Sequence, residues 1–265
     1  MNQRLTPFVQ RLLLMNIGLF AITYLLQDKI NLMNGLSLHG IYSNSFAPYQ
    51  IVTHIFMHAD FMHLFGNMLG LYFFGPLLEH FLGYKKFLIL YFVCGIGAGL
   101  LYWGINAYEV HRISEDAYAY TMHPSPDGFN EFIHQHYSKG YQSQLNLIDA
   151  YAEHSDDVQL IDETKQRVEE ILVSTSEFTL LGASGAIFGI LMAFALLFPN
   201  TELVLLFPPI PIKAKYLVGG YAAIEIYSLY VNRPDDNVAH FAHITGMVFA
   251  FILIRYWKTS RNSFY

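Results

Sequence analysis

The sequence predicts an all-α membrane protein: a bundle of six transmembrane helices with a polar, helical insertion on its outer side, between the third and fourth spans. Three observations predict it. Hydrophobic residues make up 54% of the 265 and charged residues only 14%, with a mean hydropathy of +0.31, a composition outside that of ordinary soluble domains. Six segments approach the roughly 20 apolar residues that a helix needs to cross a bilayer. The charge is also segregated. Residues 107–177 hold fourteen acids against four bases, a net −10, whereas the remainder carries eleven bases against seven acids, a net +4, beneath an overall −6.

The first span runs from about Leu12 to Leu26. It lacks a small-residue cleavage site and no soluble sequence follows it, so it reads as a span and not as a removed signal peptide. The second runs from about Phe61 to Leu78 and the third from Phe87 to Ile105, which contains the single cysteine, Cys94. One cysteine excludes an intrachain disulfide framework. The insertion, Ala107 to Glu177, contains a turn-like HPSPDG at His123 to Gly128. Beyond it Leu145, Ile148, Leu160, Val168, Ile171 and Leu172 recur at helical spacing, which predicts helices. About 70 residues is near the lower limit for an independent core, so the insertion is expected to lean on the membrane unit. The chain thus divides into 1–106, 107–177 and 178–265. The fourth span is Phe178 to Phe198. The connection from Pro199 to Lys215 is broken by Pro208, Pro209 and Pro211 and is expected to lie in the cytoplasmic interface. Spans five and six are Tyr216 to Val231 and Phe241 to Trp257.

Orientation follows from the basic residues beside the spans. With a cytoplasmic N-terminus the inner side carries Arg4, Arg11, Lys85, Lys86, Lys213, Lys215, Arg255, Lys258 and Arg261, against Lys29 and Arg233 in the short outer loops. Both termini are therefore expected in the cytoplasm and the insertion outside. The absence of an extra targeting region before the first span points to a plasma membrane.

Polar residues inside the spans fall into a pattern. The second, fourth and sixth spans all run inward, and each carries its distinctive polar residues near its start: His63 and Asn67, Ser184, and His243. At about 1.5 Å per residue these lie roughly 3 to 10 Å below the outer surface. Serine, histidine and asparagine at one depth is what a serine hydrolase requires. Serine is a weak nucleophile until a base takes its proton, and histidine is the usual base. His63 and Asn67, four apart, share a helix face and can aim donors at one developing oxyanion. Ser184 opens a helix, where free backbone N–H groups and the helix dipole favour that charge. Gly182 and Gly185 flank it and permit close approach of another backbone.

Other readings of the same residues stand beside this one. GASG at Gly182 to Gly185 also suits simple helix packing. His54, His58, His63, His240 and His243 suggest a metal site, with His54 and His58 four apart on a possible helix, but no HExxH and no acidic or cysteine ligand lies beside them in sequence. Glu225, in the middle of the fifth span, is a structural group, a proton relay or part of a transport path.

Three stretches together resemble the rhomboid family of intramembrane serine proteases. PYQIVTHIFMHADFMHLFGNMLGLYFFGPLLEHFLG, Pro48 to Gly83, resembles the second-span region, with His63, Asn67 and Glu79; LLGASGAIFG, Leu180 to Gly189, resembles the GxSG motif; AHITG, Ala242 to Gly246, resembles AHxxG. FPPIPIKAKY, Phe207 to Tyr216, has the look of the loop before the fifth span. The resemblance implies a six-helix bundle that cleaves membrane-protein substrates in or near their transmembrane segments, within the lipid bilayer. It implies a Ser184–His243 dyad without an acid, an oxyanion hole from His63, Asn67 and the Ser184 N–H, and no metal, nucleotide cofactor or nucleic-acid partner. Gly246 would allow close contact between spans four and six, and His58 matches a family histidine of structural role. Phe188 stands where the family often has a tyrosine stacked on the catalytic histidine; it can stack but not hydrogen-bond. The tryptophan–arginine pair typical of the first outer loop is not evident between Asp28 and Asp60, so that loop is expected to be anchored differently. The insertion replaces a normally short loop and is a candidate surface for protein contact. A catalytically silent, client-binding relative and a proton- or metal-coupled transporter are the competing functions.

Overall fold

The fold is taken from a computed structural model that describes residues 5–204, 209–231 and 238–259. The basic residues Arg4, Arg233 and Arg261, and the Phe207–Pro208 part of the fifth-span loop, lie outside the described residues. The chain is an all-α membrane protein. Helices α1 (Pro7–Leu26), α4 (Phe61–Leu82) and α5 (Tyr84–Met122) are long and apolar enough to cross a membrane. Around them pack α9 (Ser184–Leu197), α10 (Ala214–Val231) and α11 (His240–Thr259).

Local chemistry sets the ends of these helices. Pro7 occupies the first turn of α1, where its missing N–H is no loss. Thr6 makes no side-chain cap of its own. The cap comes from the far end of α4, where the Glu79 carboxylate accepts from Thr6 Oγ1 at 2.5 Å, Val9 N at 2.9 Å and Phe8 N at 3.3 Å. A buried carboxylate on free N–H groups at a helix N-terminus is favourable on both hydrogen-bond and dipole grounds. Glu79 therefore ties α1 to α4. Asp60 caps α4 through the His63 N–H at 2.8 Å. Gly83, at φ +78°, makes the reversal from α4 into α5.

The loop after α1 holds α2 (Leu32–Leu36), β1 (Leu38–His39), α3 (Gln50–Thr53) and a 3-10 turn at His54–Phe56. Its anchor is Gln50, which is buried and satisfied on both sides. Oε1 accepts from His39 N and Ala47 N, and Nε2 donates to Gly35 O and Ser45 O. Trp103 on α5 adds an indole bond to His39 O at 3.0 Å. These contacts anchor the loop where the tryptophan–arginine pair is not evident. The chain leaves helical geometry after Phe56, so His54 and His58 do not share a helix face as the four-residue spacing suggested.

Two elements differ from the sequence expectation. The third span does not stop near Ile105: α5 continues as one helix of 39 residues, about 58 Å long. No glycine or proline occurs from Asn106 to Met122 to break it. The fourth span is not helical from Phe178. Thr179–Leu180 form β2, paired antiparallel with β1 (Leu38↔Leu180, His39↔Thr179). The helix starts only at Ser184 and has 14 residues, about 21 Å against a hydrocarbon core of about 30 Å.

The extension of α5 is the platform for the insertion, completed by α6 (Pro126–His136), α7 (Tyr141–Glu153) and α8 (Val158–Ser176). Ser125 and Asp157 cap α6 and α8. The insertion has its own apolar cluster, with Ile113, Phe129, Ile133, Tyr151, Val168 and Ile171 at its centre. It leans on the bundle through the unbroken helix and through Asn106 Nδ2, which donates to Thr175 O at 3.2 Å. Strands β3 (Glu202–Val204) and β4 (Pro211–Lys213) pair antiparallel between α9 and α10, so the connection broken by prolines is a hairpin. Basic residues gather at the end opposite the insertion, where Arg11, Lys86 and Lys258 meet Phe8, Trp257 and Leu196 O respectively.

Candidate active site

The shortness of α9 creates the site. The segment before it, Leu181 to Ala183, is non-helical, and in a membrane bundle such backbone is tolerated only if it is buried in protein or lines a water-filled cavity. Gly182 and Ala183 are buried. Gly182 has φ +120°, and a Cβ there would stand 2.7 Å from the His63 ring; both facts require glycine. Its N–H donates to His54 O at 2.9 Å, which fixes the turn. Ser184 then falls on the first turn of α9 with no residue above it in the helix.

Ser184 lines a cavity of about 1020 Å³ together with His63, Asn67, Phe188, His240 and His243. Helices α4, α9 and α11 each contribute from their first two turns. The Asn67 amide Nδ2 is buried and has no partner among the described residues, so its donor is free for a ligand. The His58 ring meets that of His63 edge-on at 5.1 Å and 71°. Both His58 nitrogens are buried without a partner among the described residues. It backs His63 from outside the cavity lining.

His243 is held on two sides. Phe188 stacks on its ring at 4.2 Å between centroids and 10° between planes. Glu225 Oε2, on α10, lies 3.0 Å from His243 Nδ1. The same oxygen lies 2.6 Å from Nδ1 of His240, one turn before His243 on α11. The expectation that no acidic group lies beside the histidines is thus corrected: the acid comes from another helix. So is the description of His243 as lacking an acid. The sequence leaves Glu225 open among three roles and does not reveal its partners; the available signal is the pair His240 and His243 at helical spacing. Glu79 is not at the cavity and acts at the opposite end of α4.

Gly246 lets the serine and histidine helices cross closely, and Gly185 lets the serine helix approach α5. A Cβ on Gly246 would collide with the Gly185 carbonyl, and one on Gly185 would meet Ala98 at 2.9 Å. Ser184 and His243 line the same cavity, and among the described residues the Ser184 hydroxyl makes no hydrogen bond. Such bonds commonly tighten only when substrate is bound.

An all-helical membrane bundle with a serine, histidines and a free asparagine donor around one recessed cavity defines the class of protein. The family model described as the rhomboid domain matches residues 45–115 and 163–259. The chain belongs to the rhomboid family. The unmatched stretch between the two parts falls within the insertion. The chain is 27% identical over 235 residues to an uncharacterised mitochondrial rhomboid protein of Schizosaccharomyces pombe, covering 86% of this chain and 55% of that one. It is 24% identical over 241 residues to RHOMBOID-like protein 12, mitochondrial, of Arabidopsis thaliana, covering 91% and 55%. Rhomboid-like protein 11, chloroplastic, from the same plant is 34% identical over 92 residues, covering 35% and 31%. The matches thus span about half or less of each relative's length.

Proposed function

We propose that this protein is an intramembrane serine endopeptidase that hydrolyses peptide bonds in or near the transmembrane segments of membrane-protein substrates. The observation that carries the reading is the recessed cavity shared by Ser184, His243 and the unpartnered Asn67 donor. Family membership supports it.

In this reading Ser184 Oγ attacks the scissile carbonyl while His243 Nε2 takes its proton. The oxyanion is met by Asn67 Nδ2, His63 and the Ser184 backbone N–H at the positive end of α9. His243 returns the proton to the leaving amine, and water from the cavity hydrolyses the acyl-enzyme. Glu225 acts as a positioning residue: by accepting Nδ1–H it leaves Nε2 unprotonated and aimed toward the serine. No step needs a metal or a nucleotide. Phe188 fixes the tilt of the His243 ring.

The basic end is taken as cytoplasmic and the insertion as extracytoplasmic, with six spans in a plasma membrane; tag accessibility and localisation of a fluorescent fusion test this. For the chemistry, cleavage of a transmembrane reporter in liposomes is compared between wild type, Ser184→Ala and His243→Ala. Both variants are expected to fall to background with unchanged circular dichroism, and Asn67→Ala to lose about 10²- to 10³-fold. Cleavage that survives Ser184→Ala would exclude the mechanism. A folded wild type that binds but never cleaves such substrates would favour a client-binding role.

A further inference from the structure

The Glu225, His240 and His243 cluster has the composition and shape of a metal site. The three ligand atoms, one carboxylate oxygen and two imidazole Nδ1 atoms, all lie within 4.8 Å of one another. Two of the separations are 2.6 and 3.0 Å. Four-coordinate zinc with ligands at about 2.0 to 2.1 Å needs ligand atoms about 3.3 Å apart, so the carboxylate oxygen has to draw back by under about 1 Å from each imidazole nitrogen. Both rings already turn Nδ1 toward one point, because both bond the same oxygen. His240 and His243 are three apart on α11 and share a face. His240 and His243 line the cavity while Glu225 does not, so the ion would sit behind the two rings, with the fourth position left for a water. Two nitrogens and one carboxylate suit zinc and its neighbours better than calcium or magnesium.

Charge favours the same occupant. Glu225 is only 7% exposed, and among the described residues no lysine or arginine pairs with it. A divalent cation at that point would meet a buried carboxylate that no described lysine or arginine already neutralises.

We infer that Glu225, His240 and His243 bind a divalent ion of the zinc class and that the bound ion switches the protease off. Coordination at His243 Nδ1 displaces the hydrogen bond to Glu225. The single proton of the neutral ring then resides on Nε2. That nitrogen becomes a donor and has no lone pair for the Ser184 proton. Removing the ion restores Nδ1–H to Glu225 and frees Nε2. The inhibitory half of this inference rests on the protease reading; the binding half does not.

Ser184→Ala protein, folded in detergent, is titrated with Co²⁺ and the visible bands of the four-coordinate ion are followed, then displaced with Zn²⁺. One ion per chain is expected, with affinity at least tenfold weaker in Ser184→Ala variants that also carry His240→Ala, His240→Gln or Glu225→Gln. In parallel, Zn²⁺ is expected to inhibit wild-type cleavage reversibly by chelator. The inhibitory concentration should rise at least tenfold in His240→Ala and His240→Gln, each measured against its own metal-free rate. Two substitutions at His240, with unfolding temperatures for both, guard against loss by misfolding. Co²⁺ binding that the His240 variants leave unchanged would overturn the site. Binding at the site without inhibition of an active wild type would overturn the switch. A wild type without cleavage under any condition would count against the protease reading alone, since the titration still decides the site.

Discussion

Two imidazoles share one carboxylate oxygen at Glu225, and under the proposed mechanism this arrangement selects which ring nitrogen of His243 acts as the base. In the proposed mechanism Nδ1–H is directed at the acid, which leaves Nε2 to act as the base. Glu225→Gln keeps the size of the side chain but can present an N–H to Nδ1 and select the wrong tautomer. The expected outcome is a fall in kcat of about 10²- to 10⁴-fold with little change in KM, measured on the liposome reporter. Recovery by Glu225→Asp would show that the carboxylate, and not only its volume, is what matters. A Gln variant with undiminished kcat would leave the acid a packing role. The Glu225 carboxylate is engaged by two histidines that line the cavity, which favours a positioning role over a transport path.

At the scale of elements, α6, α7 and α8 form a small helical unit whose packing can be tested apart from catalysis. Tyr120 on α5 donates its hydroxyl to Thr164 Oγ1 on α8 at 2.6 Å, joining the ends of the insertion's sequence. Tyr120→Phe removes this bond and is expected to cost about 1 kcal/mol in thermal unfolding of the insertion. Burial pushes the Tyr120 phenol up to about 12. The folded state therefore favours the protonated phenol, so this group's contribution is intact below about pH 10 and disappears as pH rises toward 12. Alkaline titration followed by tyrosine absorbance should show late ionisation, abolished for one tyrosine in Tyr120→Phe. Legibility in the sequence differs among these elements for identifiable reasons. Helices α4 and α11 were readable because apolar length and polar starts coincide within each. Helix α9 was overextended because Phe178 to Ala183 is as apolar as a helix, while its true conformation depends on pairing with Leu38 and His39 about 140 residues earlier. Helix α5 was cut short because the change from apolar to acidic composition looks like a boundary, although nothing in Asn106 to Met122 stops a helix. Ser184, His63, Asn67 and His243 could be picked out by depth alone; the Glu225 contact depends on the rotation of α10 about its axis, which no local pattern reports.

For the whole molecule, the main question is what an acidic helical unit does beside a cavity that opens at the same end. Lys139, in the turn before α7, reaches the cavity lining alongside Ser184 and His243. Its ammonium is a basic contact offered by an otherwise acidic insertion, and it would favour substrates with acidic residues beside their transmembrane segment. Lys139→Glu is expected to shift cleavage toward reporters with basic juxtamembrane residues, at an unchanged unfolding temperature. Removal of residues 116–162 with a short linker should leave the bundle folded, because the two apolar clusters share no buried side chain, and should abolish that preference. Equal preference before and after both changes would make the insertion a solvated embellishment.

The unbroken rod of α5 has a mechanical consequence. Its membrane half presses behind the serine helix, where a Cβ on Gly95 would touch Ala186 at 3.3 Å and Gly189 rests on Cys94; its outer half carries the insertion. With no hinge between them, the two halves form a lever. The outer arm, about 17 residues or 25 Å, converts a tilt of about 10° into a displacement of about 4 Å at its tip. Traffic in the reverse direction follows the same geometry: a load on the insertion arrives as a torque behind Ser184.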